Sequence, residues 1–363
     1  MIKEFDIIII GGGPAGLFTA VNINDGRTLI LEKNDSAGRK LLMSGSGKCN
    51  ITQSGSISDF FSHYGEGGRF LMPALKEFTN TDLIEYLDSR GLKTINKKGK
   101  IFPASEDAND VLDLLLNECI LKKVTINYNE QVKKLEVVDN GFSIITDKNS
   151  YRCTKLVIAT GGKSYPSTGS TGDSFYFAKY LGHTIEKPRP ALTPVYIKNY
   201  KFSDISGLSL ESRKITLYRN EKKIKTNIGA LGFTHWGLSG PGILDLSRYI
   251  EPNDTLKINL INQNPEYFRS AINETALKDK KITIKKFLKS FAIPDSLLKL
   301  ILAELKLETT TYIADISKAF RNRMVELFCE YPFEIFRTGD FNIAMATKGG
   351  VSLKEVRCSP IIF

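Results

Sequence analysis

Phe5-Asp6-Ile7-Ile8-Ile9-Ile10-Gly11-Gly12-Gly13-Pro14-Ala15-Gly16 is the stretch from which the fold is read. Its apolar run, interrupted only by Asp6 and ended by glycine, has the pattern of a strand buried on both faces of a parallel sheet. Leu17 to Asn24 has helical character and Thr28 to Leu31 reads as a second buried strand, so the segment is a complete strand, turn, helix and strand. In such a unit Gly11 permits the tight turn, Gly13 lets a pyrophosphate approach the backbone with no Cβ in the way, and Gly16 allows helix and strand to pack closely. The helix N-terminus beside Pro14 and Ala15 offers free N–H groups and a positive dipole end to phosphates. Glu32 closes the second strand sixteen residues after Gly16. A carboxylate there accepts hydrogen bonds from adenosine ribose hydroxyls and favours a free 2′-hydroxyl over a 2′-phosphate. A glycine-rich turn alone need hold no ligand, but in this context it predicts a dinucleotide-binding domain.

Beyond Lys33, Gly38-Arg39-Lys40-Leu41-Leu42-Met43-Ser44-Gly45-Ser46-Gly47-Lys48-Cys49-Asn50-Ile51-Thr52 becomes, after Met43, too small and polar for a core element. It reads as a binding loop: Arg39 and Lys40 can face diphosphate charge, and Ser44, Asn50 and Thr52 supply hydrogen-bonding groups. Here the chain resembles the bacterial FAD-binding oxidoreductases of the BaiN and aminoacetone-oxidase-like group, whose pattern of Gly-Arg-Lys followed by Ser-Gly-x-Gly-Arg/Lys-Cys-Asn runs from Gly38 to Asn50. Further matching stretches are Ala159-Thr160-Gly161-Gly162-Lys163-Ser164-Tyr165-Pro166 with its continuation Thr168 to Asp173, Phe233-Thr234-His235-Trp236-Gly237-Leu238-Ser239-Gly240-Pro241, and Ala346 to Val351. The resemblance implies an α/β architecture, a Rossmann-like FAD-binding domain of the glutathione-reductase type interrupted by an inserted β-barrel-like domain with a helical subdomain. It implies FAD as cofactor, held by the first motif together with Glu32, Lys33, Arg39, Lys40, Ser44, Gly47, Lys48, Cys49, Asn50, the Ala159 to Gly162 turn, and Val132 beside the adenine.

The expected domains are 1–188 for FAD, 189–340 as the insertion and 341–363 as the return. Val124 to Tyr128, Gln131 to Val138 and Phe142 to Thr146 read as strands of the first domain, with a hairpin turn at Asp139-Asn140-Gly141. Leu192 to Ile197, Lys214 to Tyr218 and Leu256 to Ile261 read as strands of the insertion, which turns helical over about 265–330. There Ile313, Ile316, Phe320, Met324 and Leu327 recur at helical spacing as a packing face.

With 363 residues the chain exceeds a single core. No stretch has the roughly 18 to 20 apolar residues that span a bilayer, and no secretory signal opens the chain, so a cytoplasmic location is expected. Cys49, Cys119, Cys153, Cys329 and Cys358 are scattered singly, which supports neither a disulfide framework nor a metal site. The formal charge of +10 is spread over dispersed lysines, so a small-molecule substrate is favoured over nucleic acid, and the oligomeric state stays open. Three candidates stand for catalysis. His235 is a general acid or base or else a hydrogen-bonded linker residue. Cys49 lies where the resembled family brings its loop to the flavin, yet it has no second cysteine beside it for dithiol exchange and otherwise packs. Tyr165 faces the substrate cavity on the resemblance alone.

No second GxGxxG follows a strand, so reduction would come from the organic substrate or from NAD(P)H that docks transiently. The expected activity is oxidation of an amine-type substrate or reduction of a C=C bond. In the resembled family a further strand, a Gly-Glu and Asp-bearing turn and a closing helix follow the Gly-Gly-Val element, whereas this sequence ends seven residues after Val356. The expectation is that the ADP half of FAD finds its site while the ribityl and ring half is held less tightly. Two alternatives remain: a truncated, non-catalytic dinucleotide-binding protein, and a tRNA-modifying flavoprotein with a contiguous basic surface.

Overall fold

The computed structural model describes residues 2–357, so Cys358 and the six-residue tail that it opens lie outside the described residues. The chain divides into two compact units, residues 1–188 with 349–363, and residues 189–348. The way back to the first unit thus falls at 349 instead of the expected 341. The turn before it belongs with the insertion, where Gly339 N–H donates to Pro194 O, Met345 N–H donates to Leu192 O, and Ala344 is fully buried.

In the first unit β1 (Ile2–Ile10), α1 (Pro14–Val21) and β2 (Thr28–Leu31) are followed by α2 (Arg39–Met43), β3 (Thr52–Gln53), α3 (Ile57–His63), α4 (Gly68–Glu77), α5 (Asn80–Asp88), β4 (Thr94–Lys97), β5 (Lys100–Pro103) and α6 (Ala108–Leu121). Then come β6 (Thr125–Asn127), β7 (Val132–Val138), β8 (Gly141–Thr146), β9 (Ser150–Ile158) and α7 (Asp173–Tyr180). The main sheet has the order β6-β2-β1-β9-β8-β7: the first four strands run parallel, and β9, β8 and β7 form an antiparallel meander. Ile10 pairs with both Leu31 and Ile158, so three parallel strands end level at one carboxyl edge. The isoleucine run of β1 divides between two cores. Ile7 and Ile9 pack with Leu17, Ala20 and Val21 of α1 and Leu112 and Leu115 of α6, while Ile8 and Ile10 pack with Leu135, Ile144, Tyr151 and Phe177. That two-sided burial is why the run is apolar throughout instead of alternating.

Pro14 sits in the first turn of α1, where a missing N–H costs nothing, and Gly13 precedes it with extended backbone. A Cβ on Gly16 would lie 2.0 Å from the Gly11 carbonyl oxygen, so helix and turn approach to a distance only glycine permits. At the other end of the sheet edge, the buried Glu130 carboxylate accepts from Thr146 Oγ1 at 2.8 Å, Tyr151 Oη at 2.7 Å, and the side-chain amides of Asn149 and Asn127 at 3.0 Å. Burial pushes its pKa up, but these four hydrogen bonds outweigh burial and hold it below the ordinary value, while burial and the bond to Glu130 push Tyr151 up to about 12.

The chain leaves the first unit along β10 (Ile185–Ala191) and comes back along β17 (Ala346–Val351), and these two strands pair with each other. The second unit is a closed six-stranded barrel, in the order β11-β14-β13-β12-β15-β16, built from β11 (Val195–Ile197), β12 (Ser209–Arg219), β13 (Lys222–Phe233), β14 (Gly237–Ser239), β15 (Thr255–Ile258) and β16 (Tyr331–Thr338). The short α8 (Pro241–Leu244) follows β14, and α9 (Pro265–Lys278), α10 (Ile284–Lys289), α11 (Asp295–Glu304) and α12 (Lys318–Cys329) lie between β15 and β16. Barrel and helices share one core that includes Leu217, Leu256, Phe268, Leu298 and Phe328. The expected helical stripe is interrupted. Ile313 lies in a single 3₁₀ turn, Ser317 caps α12 through the Phe320 N–H, and Phe320 is exposed, whereas Met324 and Leu327 are buried as expected. The cap residue resets the helical phase, so the residues before it do not continue the face.

Two outcomes follow from the first unit. Gly16→Ala is expected to lose about 1–3 kcal/mol of stability by overpacking against Gly11, measured by urea unfolding. Glu130→Gln is expected to lose about 2 kcal/mol near neutral pH, because the amide nitrogen that replaces one oxygen, least disruptively Oε2, then meets the Asn127 Nδ2 donor. Since the folded-state pKa of Glu130 is depressed, its contribution is complete above the ordinary glutamate value and is lost as pH falls through the folded value. The difference between wild type and variant should therefore shrink on acidification; a constant difference would remove the carboxylate from the explanation.

Candidate functional site

The level carboxyl edge of β1, β2 and β9 opens onto a cavity of about 450 Å³ within the first unit. Gly11, Gly13, Pro14 and Ala15 form one wall, Glu32, Lys33 and Asn34 the end, and Arg39 and Lys40 another side. Gln131 and Val132 bring in the start of β7, and Ala159, Thr160 and Gly161 the exit of β9. This is the position where an open α/β sheet with a crossover presents its ligand site.

Each wall has a local cause. The Gly11 turn has φ +108°, and a Cβ there would lie 2.6 Å from Ala159 O, so the two strand exits touch backbone to backbone. Glu32 is only 7% exposed: Oε2 accepts from Gly12 N–H at 2.7 Å, and Oε1 accepts from Asn34 N–H at 2.8 Å and Asn34 Nδ2 at 2.7 Å. Two donors fill Oε1, and one leaves Oε2 a lone pair for a further donor. Lys33 is committed elsewhere, reaching Asp173 at 2.8 Å and Thr171 at 2.7 Å, which fastens the end of β2 to the start of α7. Arg39 is likewise held by Asp35 at 2.6 Å. Lys40 is different. It is partly buried, burial holds its pKa below the ordinary lysine value, and it has no ion-pair partner among the described residues.

Three observations test whether a dinucleotide suits these walls. A Cβ built on Gly13 meets nothing within 4 Å, so the backbone there faces open cavity at the start of α1. Thr160 Oγ1 is buried with no hydrogen-bond partner among the described residues. Lys40, with no ion-pair partner among the described residues, lines the same cavity. Helix N-terminus, free hydroxyl and free ammonium together suit a diphosphate, and Glu32 suits a ribose hydroxyl.

Not every sequence-predicted residue comes to this cavity. Gly16 underlies the turn without lining it, and Gly162 lies just past the β9 exit. The stretch Ser44 to Asn50 is no single polar loop: α2 runs through Arg39–Met43, Ser44 to Gly47 form a 3₁₀ turn, and Cys49 is buried with Ala108 and Val111. Ser44 Oγ donates to Leu41 O, Lys48 pairs with Glu106 at 3.0 Å, and burial pushes the Cys49 thiol up, so a thiolate is disfavoured there. The alternating glycines hid a small packed cluster, because the apolar residues that cover Cys49 come from α6. Tyr165 has φ +51° and caps a 3₁₀ turn outside the cavity. His235 lies in the other unit, exposed on the turn between β13 and β14. The sequence reading missed Glu130, Asn34, Ser170 and Phe177, which line the cavity. A Cβ at Gly169 would lie 2.5 Å from Asn34 Nδ2, and that glycine in Thr168 to Asp173 was the available signal that this stretch closes over the acidic end of β2.

No helix among the described residues is long and apolar enough to cross a membrane. The chain matches the family described as HI0933-like protein Rossmann domain over residues 5–361. It is 28% identical over 359 residues to the 3-dehydro-bile acid delta(4,6)-reductase of Clostridium scindens, covering 96% of this chain and 87% of that protein. It is 31% identical over 367 residues to the ribosomal RNA dihydrouridine synthase of Haemophilus influenzae, covering 98% and 88%. Among solved structures, the open form of a flavocytochrome c3 fumarate reductase aligns at TM-score 0.44 and 13% identity, over 93% of this chain and 67% of that one. With the sheet, the glycine turn and the cavity in place, the chain belongs to the HI0933-like Rossmann family and is a flavin-dependent oxidoreductase whose cofactor is FAD.

Proposed function

We propose that this chain reduces a carbon–carbon double bond conjugated to a carbonyl group. The observation that carries the reading is the chemistry shared by its two similar relatives. A delta(4,6)-reductase and a dihydrouridine synthase, by their names, both saturate a ring C=C bond polarised by a carbonyl. Amine oxidation, the other expectation, has no counterpart in either name. Bound FAD supplies hydride for such a step.

The chain's own residues hold and orient that cofactor. Gly13 and the start of α1 receive the diphosphate, with Lys40 as counter-charge and Thr160 as a hydroxyl donor. Glu32 Oε2 takes one ribose hydroxyl on its remaining lone pair. Val132 and Gln131 border the adenine, and Glu130 fixes them through its hydrogen bonds to β9 and through its own N–H, which donates to Glu32 O at 3.0 Å. Gly11, Gly16, Pro14 and Ala15 shape the turn, Ala159 and Gly161 the opposite wall with Gly162 just past it, and Lys33 and Arg39 brace the ends. Electrons arrive from NAD(P)H docking transiently.

A second reading fixes the substrate as uridine within RNA, and the charge distribution favours it. Residues 189–348 hold 25 Lys and Arg against 17 Asp and Glu, so +8 of the chain's +10 belongs to the second unit. Positive charge concentrated on one unit suits a phosphate backbone better than a small neutral ring.

Reconstitution with FAD is the first check: a stable two-band flavin spectrum is expected, and a colourless chain would restore the non-catalytic reading. Gly13→Ala should unfold within about 1 kcal/mol of wild type yet bind FAD at least about tenfold more weakly, because its Cβ occupies open cavity. Under anaerobic conditions the reduced enzyme is offered a steroid dienone or an oligouridylate. Flavin reoxidation with uptake of two hydrogens by the acceptor identifies the substrate class; reoxidation by neither would overturn the reductase proposal.

A further inference from the structure

The second unit exposes aromatic residues that its large core leaves uncovered. Trp236 is 70% exposed and Phe336 is 56% exposed, although burial of either would stabilise the fold. Phe336 lies on β16 and Trp236 on the turn that enters β14, and β14, β11 and β16 are neighbours in the barrel. Tyr196 of β11 is opposite Gly237 on one side and Arg337 on the other, which orders Gly237, Tyr196 and Arg337 across three strands.

The local backbone makes this arrangement. Ile197 pairs with Ile335 and Tyr196 with Arg337, so Phe336 is the extra residue of a β-bulge. Alternation along β16 buries Tyr331, Phe333 and Ile335; the bulge breaks it and leaves Phe336 and Arg337 both exposed. The Arg337 guanidinium lies 3.7 Å from the centre of the Tyr196 ring, and it has no carboxylate partner among the described residues. A Cβ at Gly237 would lie 2.1 Å from Val195 O, so no side chain stands next to Tyr196 on that side. Trp236 and His235 form the turn just before Gly237. Thr234 braces it: its N–H and its hydroxyl donate to Gly237 O at 2.9 Å, and its hydroxyl accepts from Gly237 N–H at 3.1 Å. Trp236 O in turn accepts from Ile197 N–H at 3.3 Å. The indole is therefore displayed on a fixed turn, not on a loose loop.

We infer that this face, Trp236 with Tyr196, Phe336 and Arg337, is a stacking surface for single-stranded RNA. The inference rests on the RNA reading above and deepens it. Bases stack on aromatic rings whatever their sequence, and an unpaired arginine on an aromatic ring serves both a base and a phosphate. Charge complementarity selects the occupant: the face belongs to the unit that carries most of the positive charge, which opposes a second copy of the same unit and favours a polyanion.

Trp236 is the chain's one tryptophan, so its emission reports on this face. The FAD-loaded full chain is titrated with a labelled single-stranded oligouridylate of about 12 nucleotides, within the span of known single-strand sites. Quenching of Trp236 is expected to saturate together with the anisotropy of the label. Trp236→Ala and Phe336→Ala should each weaken binding about tenfold, Trp236→Phe should restore most of it, and Arg337→Gln should lower the salt dependence of binding by about one phosphate contact. Oligouridylate that binds the alanine variants as tightly as wild type overturns the surface while leaving the RNA reading standing. Absence of anisotropy change at low salt overturns both. Quenching by a steroid dienone alone, or by raising the protein concentration with formation of a dimer, assigns the face to another occupant and overturns the proposal.

Discussion

The hydrogen bond from Gly12 N–H to Glu32 Oε2 joins the glycine turn to the end of the second strand, and the architecture of the first unit depends on it. The bond is short, buried and charge-assisted, so losing either partner would leave a costly unsatisfied group. It holds the turn in the shape that lets Gly16 pass 2.0 Å, as judged by an added Cβ, from the Gly11 carbonyl. That closeness packs α1 onto β1 and aims its free N–H groups across the sheet edge. Anion-binding geometry and fold stability thus come from the same few atoms, and the turn tolerates few substitutions for both reasons.

A second polar centre does for the far wall what Glu32 does for the near one. Glu130 gathers donors from β6, β8 and β9 and the turn after β8, and its backbone N–H reaches Glu32 O. The two buried acids are therefore linked through one backbone bond. Such a network is stabilising only when every member is satisfied, and here four donors meet one carboxylate. The start of β7, where Gln131 and Val132 border the cavity, inherits that rigidity.

What the sequence disclosed was whatever the backbone demands locally. The β1 to β2 unit was legible because burial on both faces, the glycine spacing and the acid at position 32 each follow from local rules. Lys40 and Thr160 line the cavity because they sit at helix and strand ends, where parallel sheets present ligands. Glu130 was not legible: its donors come from positions 127 to 151, and nothing in the residues around it marks a buried acid. The packing of Cys49 could be placed only by the fold, since the cover of its thiol is supplied by α6, far along the chain. The stripe from Ile313 to Leu327 misled because periodicity continues across a capping serine while the helix does not.

The two units also differ in how they use charge. In the first, basic side chains at the cavity are mostly spoken for, Lys33 by Asp173 and Arg39 by Asp35, and Lys40 alone is left to meet a ligand's charge. One well-placed cation in a partly dry cavity is worth more than several in water. In the second unit the positive charge is surplus and solvent-exposed, which adds little to folding but acts over a Debye length of about 8–10 Å on a polyanion. A small uncharged ring would feel none of that field. Charge in the first unit therefore acts at contact in a partly dry cavity, and charge in the second acts at a distance through water.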